Sequence, residues 1–360
     1  MLIDFVVGAR PNLMKLAPII LELKNYKLNF NFRIIDTGQH YDKNLSSELM
    51  KQLNLPKPDF NLKVGSGTQA EQTGKIMIGY EEILKQRNAD LTVVFGDVNS
   101  TLACSITAKK NGLRVCHVEA GIRSGDYSMP EEINRIVTDS ITDYFFTTSE
   151  NANKILINNG ACKKKIFFVG NLMIDTLINN EKNIKKPRIV DRFLDKNKKF
   201  ILITLHRPSN VDDVNKLNKF LNQFNESSTN IIFPVHPRTM NFLDKGLINK
   251  NKILICEAQP YFEFLWLLKN SCAVITDSGG VSEETTILKK PCFTMRDNTE
   301  RPETVEIGTN MLVGSSPDKL KDIFEKIKYE DFKVGKIPKK WDGKTAKRII
   351  KILNKLASNE

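Results

Sequence analysis

The residues best suited to binding an anion form a Ser-Gly-Gly turn, Ser278-Gly279-Gly280, at the end of an apolar run. The run Ala273–Thr276 predicts a buried strand, and the segment from Val281 onward predicts a helix. Adjacent glycines let a ligand approach the backbone N–H groups at a helix N-terminus, where the helix dipole also favours negative charge. The turn therefore predicts a phosphate site, although two glycines equally suit an ordinary tight connection between a strand and a helix.

A second candidate anion site follows the first apolar run of the chain, in residues 8–15 (GARPNLMK). The segment begins with small residues, has a proline where a helix can start, and carries two cations, Arg10 and Lys15. Arg10 suits a two-pronged contact with a phosphate and Lys15 a point-charge contact, but both also suit surface salt bridges. The segment lacks the three-glycine spacing of a dinucleotide fingerprint and does not match a Walker loop.

Two carboxylates follow neighbouring predicted strands. Asp97 comes just after the apolar run 91–95, and Glu119 comes just after the run 114–118. Because neighbouring parallel strands end at the same edge of a sheet, we expect both acids to face one cleft. Taken alone, Asp97 suits the cap of the helix that follows it. The repetition of the pattern at Glu119 favours a functional role.

A third carboxylate, Glu131, lies in a segment where Pro130 predicts a helix start. An apolar stripe is the predicted buried face of this helix, which leaves Glu131 on another face with Asn134 and Arg135. The stripe consists of Ile133, Ile136, Val137 and Ile141. Glu131 and Arg135 also have the spacing of a surface ion pair. Three acids beside a cationic phosphate site favour proton transfer over a structural role.

The second half of the chain has histidines at two predicted strand ends. His206 follows the apolar run 200–204, and His236 follows the run 231–235. The chain has only four histidines, so this placement favours a functional role, although a structural role suits His236 equally well. Phe264 suits either the core or a platform for a flat base, and its spacing does not decide between them.

The elements that must position these residues are apolar runs alternating with helix-like segments. The runs cover residues 3–7, 32–36, 91–95, 114–118, 144–147, 200–204, 231–235, 253–255, 273–276 and 292–295. This alternation predicts an α/β fold with parallel sheets. The polar segment 179–199 interrupts it and is predicted to link two α/β halves. Residues 346–356 predict an amphipathic basic helix that could pack on the outside of either half.

The composition is that of a globular protein of about two domains. The chain has 360 residues, of which 41% are hydrophobic and 27% charged, and a formal net charge of +12. The lysines are concentrated in polar segments without interleaved aromatic residues, which favours a solvated surface over a nucleic-acid or membrane partner. Six scattered cysteines lack metal-binding or redox spacing and indicate a reducing cytoplasm. We expect neither a signal peptide nor a bilayer span.

Ten motifs, taken in order, resemble the non-hydrolysing UDP-N-acetylglucosamine 2-epimerase family. They are GARPNLMKLAP, TGQHYD, GDVNSTLA, HVEAGIR, MPEEINR, VGNLMIDTL, LHRPSN, PVHPR, DSGGVSEE and MRDNTERPE. The resemblance implies a GT-B fold, in which two Rossmann-like domains face a central cleft, and a homodimer. It implies an N-terminal domain over residues 1–178, a linker over 179–199 and a UDP-binding domain over 200–340. Residues 341–360 are then a helix that returns to the N-terminal domain.

The resemblance also implies a reaction, the reversible inversion of C2 of UDP-N-acetylglucosamine to give UDP-N-acetylmannosamine for surface polysaccharide synthesis. UDP leaves, a 2-acetamidoglucal forms, and both UDP and a proton add back, without a metal or nicotinamide cofactor. The catalytic residues implied are Asp97, Glu119, Glu131 and His206. The residues implied in binding the UDP-sugar are Arg10, Lys15, His236, Phe264, Ser278, Gly279, Gly280, Glu284 and Arg301. Among these, Phe264 is implied to stack on uracil and Glu284 to contact the ribose hydroxyls.

Several other functions remain open at this point. Relatives that act on related sugars, such as UDP-diacetamido-uronic acids, keep much of the same core, so the resemblance does not settle the sugar. A GT-B glycosyltransferase, a hydrolysing relative that releases free N-acetylmannosamine, and a non-catalytic sensor are further alternatives. A glycosyltransferase needs an acceptor, and neither it nor a sensor requires three clustered acids. The acids therefore favour the epimerase.

Overall fold

The computed structural model describes residues 1–39, 43–194, 199–235 and 237–358. It contains two compact units, each of which is described by itself. The first unit comprises Met1–Asn179 together with Lys339–Glu360, and the second comprises Asn180–Pro338.

Residues 180–194, which the sequence analysis placed in a linker, belong to the second unit. They include two short 3₁₀ turns, Glu181–Asn183 and Arg188–Val190. Val190 is fully buried, and burial of this apolar side chain helps to hold the segment in the second unit. Residues 195–198 lie outside the described ranges.

Strands and helices alternate in the first unit. The strands are β1 (Leu2–Val7), β2 (Asn31–Asp36), β3 (Phe60–Asn61), β4 (Leu91–Phe95), β5 (Arg114–Val118), β6 (Tyr144–Thr147) and β7 (Ile166–Phe168). The helices are α1 (Arg10–Leu23), α2 (Lys43–Gln52), α3 (Gln69–Gln86), α4 (Asn99–Lys110), α5 (Pro130–Ile141), α6 (Glu150–Asn158) and α7 (Leu172–Asn179). The strands form one parallel sheet in the order β3-β2-β1-β4-β5-β6-β7.

The second unit repeats this plan. Its strands are β8 (Phe200–Thr204), β9 (Asn230–Val235), β10 (Ile253–Glu257), β11 (Ala273–Thr276), β12 (Cys292–Thr294) and β13 (Asn310–Leu312). Its helices are α8 (Pro208–Val211), α9 (Val214–Asn225), α10 (Pro237–Met240), α11 (Tyr261–Asn270), α12 (Gly279–Ile287), α13 (Pro302–Glu306) and α14 (Lys319–Lys328). The strands form a parallel sheet in the order β10-β9-β8-β11-β12-β13.

The strand order of each sheet reverses at one place, between β1 and β4 in the first unit and between β8 and β11 in the second. Every residue of β1, β4 and β11 is buried, so these strands form the rigid centre of their units. Consecutive connections leave such a point in opposite directions, and the gap between them is the usual ligand site of doubly wound folds. The residues that follow these four strands are therefore the candidates for function.

The last helix of the described chain is α15 (Thr345–Ser358), which belongs to the first unit and packs against α1 and α7. Its Ile349 and Ile350 are fully buried. Asp175 of α7 accepts a hydrogen bond from the backbone N–H of Ala346 at 2.8 Å, and a carboxylate at a helix N-terminus is favoured by the helix dipole. The sequence alone left both halves open as the docking place of this helix.

Candidate active site

Asn12 connects the turn after β1 to the end of β4. Its Oδ1 accepts hydrogen bonds from the backbone N–H groups of Gly8 and Ala9 at 3.2 and 3.0 Å. Its Nδ2 donates to the carbonyl oxygen of Phe95 at 2.9 Å. One buried side chain thus fixes two loops at the switch point, next to Arg10, the half-buried first residue of α1. The sequence analysis did not single out Asn12.

Lys15 and Glu119 form a buried ion pair. Lys15 Nζ lies 2.5 Å from Glu119 Oε2, and the two side chains are 7% and 2% exposed. Glu119 follows β5 with a φ of +71°, in the left-handed region where a non-glycine residue costs about 1–3 kcal/mol and most often serves a site. The sequence analysis placed Lys15 beside Arg10 at a phosphate. In the structure its ammonium holds the carboxylate of Glu119.

Asp97, in the turn after β4, is held by two side chains of α5. Its Oδ2 lies 2.7 Å from Arg135 NH1, and its backbone carbonyl accepts from Asn134 Nδ2 at 2.8 Å. The Asp97 carboxylate is 32% exposed, whereas the Arg135 side chain is only 3% exposed. The Asp97 side chain is thus oriented by α5 and still accessible to a ligand.

The predicted buried stripe of α5 is wrong, because the buried face of this helix is polar. Its buried residues are Glu132, Asn134, Arg135, Thr138 and Asp139. Ile133, a member of the predicted stripe, is 48% exposed. Buried charges on this face are tolerated because each has an oppositely charged or hydrogen-bonding partner.

Glu132 replaces Glu131 as the partner of Arg135 on α5. Arg135 Nε donates to Glu132 Oε2 at 2.9 Å, so the predicted surface pair of Glu131 and Arg135 is not the observed one. Burial acts to raise the pKa of Glu132, but the N–H groups of Ser124 and Gly125 and the Arg135 guanidinium outweigh it and hold that pKa below its ordinary value. Glu131 is half-buried in the first turn of α5.

In the second unit, α12 begins at Gly279 with Ser278 as its N-cap residue. The first N–H groups of an α-helix have no acceptor within the helix, so they are available to an anion. A Cβ placed on Gly279 would lie 2.9 Å from Glu300 Oε1. A Cβ on Gly280 would meet no atom of the described residues within 4 Å, so the backbone there borders open space. The start of α12 is therefore shaped for close approach of a ligand.

Asp277, which directly precedes the Ser-Gly-Gly turn, orients His206. Asp277 is fully buried, and its carboxylate lies 2.7 Å from His206 Nδ1. It also accepts from the backbone N–H groups of His206 and Arg207 at 3.0 and 2.9 Å and from Asn210 Nδ2 at 3.1 Å. Burial acts to raise the pKa of Asp277, but the hydrogen bond and charge of His206 and the other donors hold it below its ordinary value.

The His206 side chain is 54% exposed, so one edge of the ring is buried against Asp277 while much of the ring remains accessible. Since Nδ1 faces a carboxylate, Nε2 is the ring nitrogen left to contact a ligand. His206 was predicted from the sequence, whereas Asp277 was not. Its position immediately before the Ser-Gly-Gly turn was the available signal.

Arginines and glutamates cluster beside the start of α12. Arg296 NH1 lies 2.7 Å from Glu300 Oε2, and Arg301 Nε lies 2.5 Å from Glu283 Oε1. Burial acts to raise the pKa of Glu300, but the charges of Arg296, Arg301 and Arg207 lower it to about 2. Arg301, predicted to bind the sugar, is thus anchored by a buried glutamate.

The remaining predicted binding residues of the second unit lie on α11 and α12. Glu284 is 3% exposed and accepts a hydrogen bond from Tyr261 Oη at 3.0 Å. Phe264 is half-buried on α11. His236 lies outside the described residues.

Within the described ranges, no group of three or more His, Cys, Asp or Glu side chains is placed to hold a metal ion. Within the same ranges, no helix combines the length and apolar character needed to cross a bilayer.

Two parallel Rossmann-like sheets, each with polar side chains at its switch point, define an α/β protein of the GT-B class. The sequence model of the family described as UDP-N-acetylglucosamine 2-epimerase matches residues 22–354. The chain belongs to this family.

Two relatives and one solved structure illustrate the similarity. A UDP-N-acetylglucosamine 2-epimerase of Methanocaldococcus jannaschii is 43% identical, over 98% of this chain and 99% of the relative. A UDP-2,3-diacetamido-2,3-dideoxy-D-glucuronate 2-epimerase of Pseudomonas aeruginosa is 37% identical, over 88% of this chain and 89% of the relative. The crystal structure of the M. jannaschii UDP-GlcNAc 2-epimerase with UDP-GlcNAc and UDP has a TM-score of 0.88 and 42% identity, over 99% of this chain and 100% of that chain.

Proposed function

We propose that this protein is an isomerase that reversibly converts UDP-N-acetylglucosamine into UDP-N-acetylmannosamine. The observation that carries the proposal is the pair of acids that follow the neighbouring strands β4 and β5, Asp97 and Glu119, each fixed by a buried cation. A helix N-terminus suited to a diphosphate lies at the corresponding place in the second unit. The similarity to the M. jannaschii epimerase supports the choice of substrate.

The proposed reaction requires both acid/base groups at C2 and a site that binds the departing diphosphate. The C2 proton of the sugar is not adjacent to a carbonyl, so its direct removal is slow. When the C1–O bond breaks, the electron pair leaves with UDP, C1 becomes electron-poor and the C2 proton becomes acidic. A base takes that proton and the C1–C2 double bond forms, giving 2-acetamidoglucal. The reverse steps deliver a proton to the opposite face of C2 and return the UDP oxygen to C1.

The acids of the first unit are the proposed proton carriers. Inversion needs a group on each face of C2, since one carboxylate cannot reach both faces of the ring. Asp97, Glu119 and Glu131 are the candidates. Lys15 lies against Glu119 and Arg135 lies against Asp97, and a neighbouring cation suits a carboxylate that acts as a general base.

The second unit is the proposed UDP site. The backbone at Ser278, Gly279 and Gly280 binds the diphosphate, with Arg10 as a further cation. His206 contacts the sugar and the diphosphate through Nε2.

Base, ribose and sugar contacts complete the proposed UDP site. Phe264 stacks on uracil, and Glu284, oriented by Tyr261, accepts from the ribose hydroxyls. Arg301 and Glu300 complete the proposed sugar pocket, and His236 is a further proposed contact to the UDP-sugar.

The first test is proton exchange at C2. Incubation with UDP-N-acetylglucosamine in heavy water is expected to give UDP-N-acetylmannosamine with deuterium at C2, detected by NMR and mass spectrometry. An Asp97→Asn variant should lose exchange, whereas Asp322→Asn, on the exposed surface of α14, should retain it. A wild-type protein that neither epimerises the sugar nor exchanges its proton would refute the proposal.

A UDP-diacetamido-uronic acid is the second candidate substrate, because the P. aeruginosa relative at 37% identity is a UDP-2,3-diacetamido-2,3-dideoxy-D-glucuronate 2-epimerase. The two substrates differ in a carboxylate at C6 and an acetamido group at C3. Parallel exchange assays with both UDP-sugars separate the candidates, since the preferred substrate has the larger kcat/KM. Release of free N-acetylmannosamine would instead indicate hydrolysis, and UDP release only with an acceptor would indicate a glycosyltransferase.

We also propose that the protein is a homodimer that associates through α3, α4 and α5. These helices are neighbours, since α4 packs against both α3 and α5. Ile78 of α3 is 66% exposed and Ile133 of α5 is 48% exposed. Leu102 and Ile106 of α4 are half-buried. Apolar side chains on three adjacent helices suit burial against a second copy of the chain.

Light scattering coupled to gel filtration tests the dimer. The double variant Ile78→Glu/Ile133→Glu is expected to elute as a monomer. Dimer formation would bury each introduced carboxylate at the interface without a partner, which is energetically costly. Val334→Glu, at a side chain 94% exposed in the second unit, is the matched control and should remain a dimer. A monomeric wild type, or a dimeric double variant, would refute this interface.

The proposed location is the cytoplasm. All six cysteines are free thiols, and four of them are buried. Free thiols are typical of proteins in reducing compartments.

A further inference from the structure

His117 is a fully buried residue of β5 whose two ring nitrogens both have close polar partners. Nε2 lies 2.7 Å from the backbone carbonyl oxygen of Gly96. Nδ1 lies 2.7 Å from Asp139 Oδ1 of α5. The ring therefore bridges the end of one strand and the buried face of a helix.

The partners determine where the ring protons are. A carbonyl oxygen only accepts hydrogen bonds, so Nε2 must carry a proton. Nδ1 then either accepts from a protonated Asp139 or donates to an ionised one. In the second case both ring nitrogens carry protons and His117 is a cation.

The surroundings of Asp139 favour the ionised carboxylate. Besides His117, it accepts from the backbone N–H of Gly121 at 3.0 Å and lies 2.7 Å from Arg123 NH1. Burial acts to raise the pKa of Asp139, but the charges and hydrogen bonds of His117 and Arg123 outweigh it and hold the pKa below its ordinary value. Two donors that are independent of the His117 tautomer, the Gly121 N–H and the Arg123 guanidinium, converge on Oδ2 and favour the ionised carboxylate, so that Oδ1 is left as an acceptor for His117 Nδ1–H.

The residues held by this pair adjoin the proposed acids. Gly96, whose carbonyl His117 holds, has a φ of +65° and immediately precedes Asp97. Gly121, whose N–H Asp139 holds, has a φ of +78° and follows Glu119 by two residues. Both turns are in the left-handed region, so each needs external contacts to fix its direction. The His117–Asp139 pair supplies one such contact to each.

We propose that His117 is a doubly protonated positioning residue that, together with Asp139, holds Asp97 and Glu119 in place for proton transfer at C2. The expected effect of this pair on catalysis rests on the proposed function. The protonation state of His117 does not depend on that function and is measured separately. His117 itself touches no substrate in this scheme, because it is fully buried.

The protonation state is tested by ¹⁵N NMR of the full-length protein labelled at histidine. The chain has only four histidines, so single His→Gln variants assign the His117 signals. Both ring nitrogens of His117 are expected to show protonated-type shifts at pH 7. The charged groups that face the ring are Asp139 directly and Arg123 through Asp139. A neutral ring, with one nitrogen of each type, would overturn the proposal.

The positioning role is tested by His117→Gln, which keeps a polar side chain but cannot hold both partners with a charged ring. We expect kcat for C2 exchange to fall about 100-fold, the size of effect that a 1 Å misplacement of a catalytic group can have. The dissociation constant of UDP should stay near that of the wild type, since the UDP site lies on other elements. A folded His117→Gln variant with unchanged kcat would overturn the positioning role.

Tyr80→Phe is the matched control for loss of a buried hydrogen bond. Tyr80 Oη lies 3.0 Å from Asp4 and 2.8 Å from Thr92, and all three residues are fully buried. This variant is expected to melt at a lower temperature but to keep its kcat. If it loses turnover as much as His117→Gln does, the effect is one of general stability and the positioning role is refuted. An inactive wild type would refute the proposed function and leave the NMR result intact.

Discussion

Replacing Glu119 with glutamine is expected to lower kcat for C2 exchange by about 10²–10⁴-fold, the usual contribution of a general acid or base. Glutamine has nearly the same size and tolerates the same backbone conformation, but it cannot accept a proton at neutral pH. The UDP dissociation constant should change little, because the proposed UDP contacts are Arg10 and residues of the second unit, none of which is altered. Stopped deuterium incorporation together with retained UDP binding would show that Glu119 acts on the sugar.

The same substitution also leaves the Lys15 ammonium buried without its counter-ion. Removal of one partner of a buried pair costs about 3–5 kcal/mol of stability, so loss of activity could come from misfolding alone. The double variant Lys15→Met/Glu119→Gln removes both charges and is expected to recover much of the melting temperature but none of the turnover. If its kcat returned to the wild-type value, the pair would be structural and Glu119 would be removed from the proposed acids.

The central strands follow directly from the sequence. For β4, β5, β6, β8 and β11 the predicted and observed bounds agree, because each is a short apolar run enclosed between turn formers. The strands that were missed are β3, β7 and β13, and all three lie at edges of their sheets. They have two or three residues each and are largely half-buried, so even β7, which is apolar throughout, is shorter than the runs that predict a strand. Their position depends on the neighbouring strand rather than on their own pattern.

Helix α5 shows where hydrophobic periodicity fails. Its apolar and polar faces were both visible in the sequence, but the assumption that the apolar face is the buried one was wrong. The polar face is buried because Arg135 and Asp139 meet partners in the turn after β4, on β5 and in the loop after β5. These partners lie 16 to 38 positions away in the chain, and local spacing does not reveal them. The exposed Ile133 is in turn one basis of the proposed dimer surface.

The proposed acids were located from the sequence, whereas the residues that orient them were not. Asp97 and Glu119 were found because strand ends in parallel sheets collect functional side chains. Asn12, His117 and Asp277 act through contacts with residues far away in the chain, such as the 71 positions between His206 and Asp277. A motif identifies the polar residues at a site. The contacts that fix their protonation and direction become visible only in the folded structure.

Replacing Asp277 with asparagine is expected to lower kcat by about 10²–10⁴-fold, comparable to the loss when the orienting aspartate of a catalytic triad is replaced. Every described partner of the Asp277 carboxylate is a donor: the ring and backbone of His206, the backbone of Arg207 and the amide of Asn210. An asparagine amide replaces one acceptor oxygen with a donor NH₂. One group of donors must then lose its acceptor, whichever way the amide turns.

The orientation of that amide decides how function is lost. If its NH₂ faces His206 Nδ1, the ring must accept there and carry its proton on Nε2, which is the wrong tautomer for a ring held through Nδ1–H. If its NH₂ faces Arg207 and Asn210, two buried donors lose their acceptor and the loop after β8 is destabilised by about 1–3 kcal/mol for each. Histidine ¹⁵N shifts detect the first outcome, a changed His206 tautomer. Thermal melting detects the second, a destabilised loop after β8.

Asn210→Ala is the matched control, since it removes a single donor from Asp277 while the contact with His206 remains. It is expected to lower the melting temperature with only a small change in kcat. Retention of wild-type kcat and of the Nδ1–H tautomer in Asp277→Asn would contradict the orienting role. A folded Asp277→Asn variant that has lost turnover and has an altered His206 tautomer would instead show that Asp277 supports catalysis through His206. His206 is the only proposed catalytic group among the described contacts of Asp277.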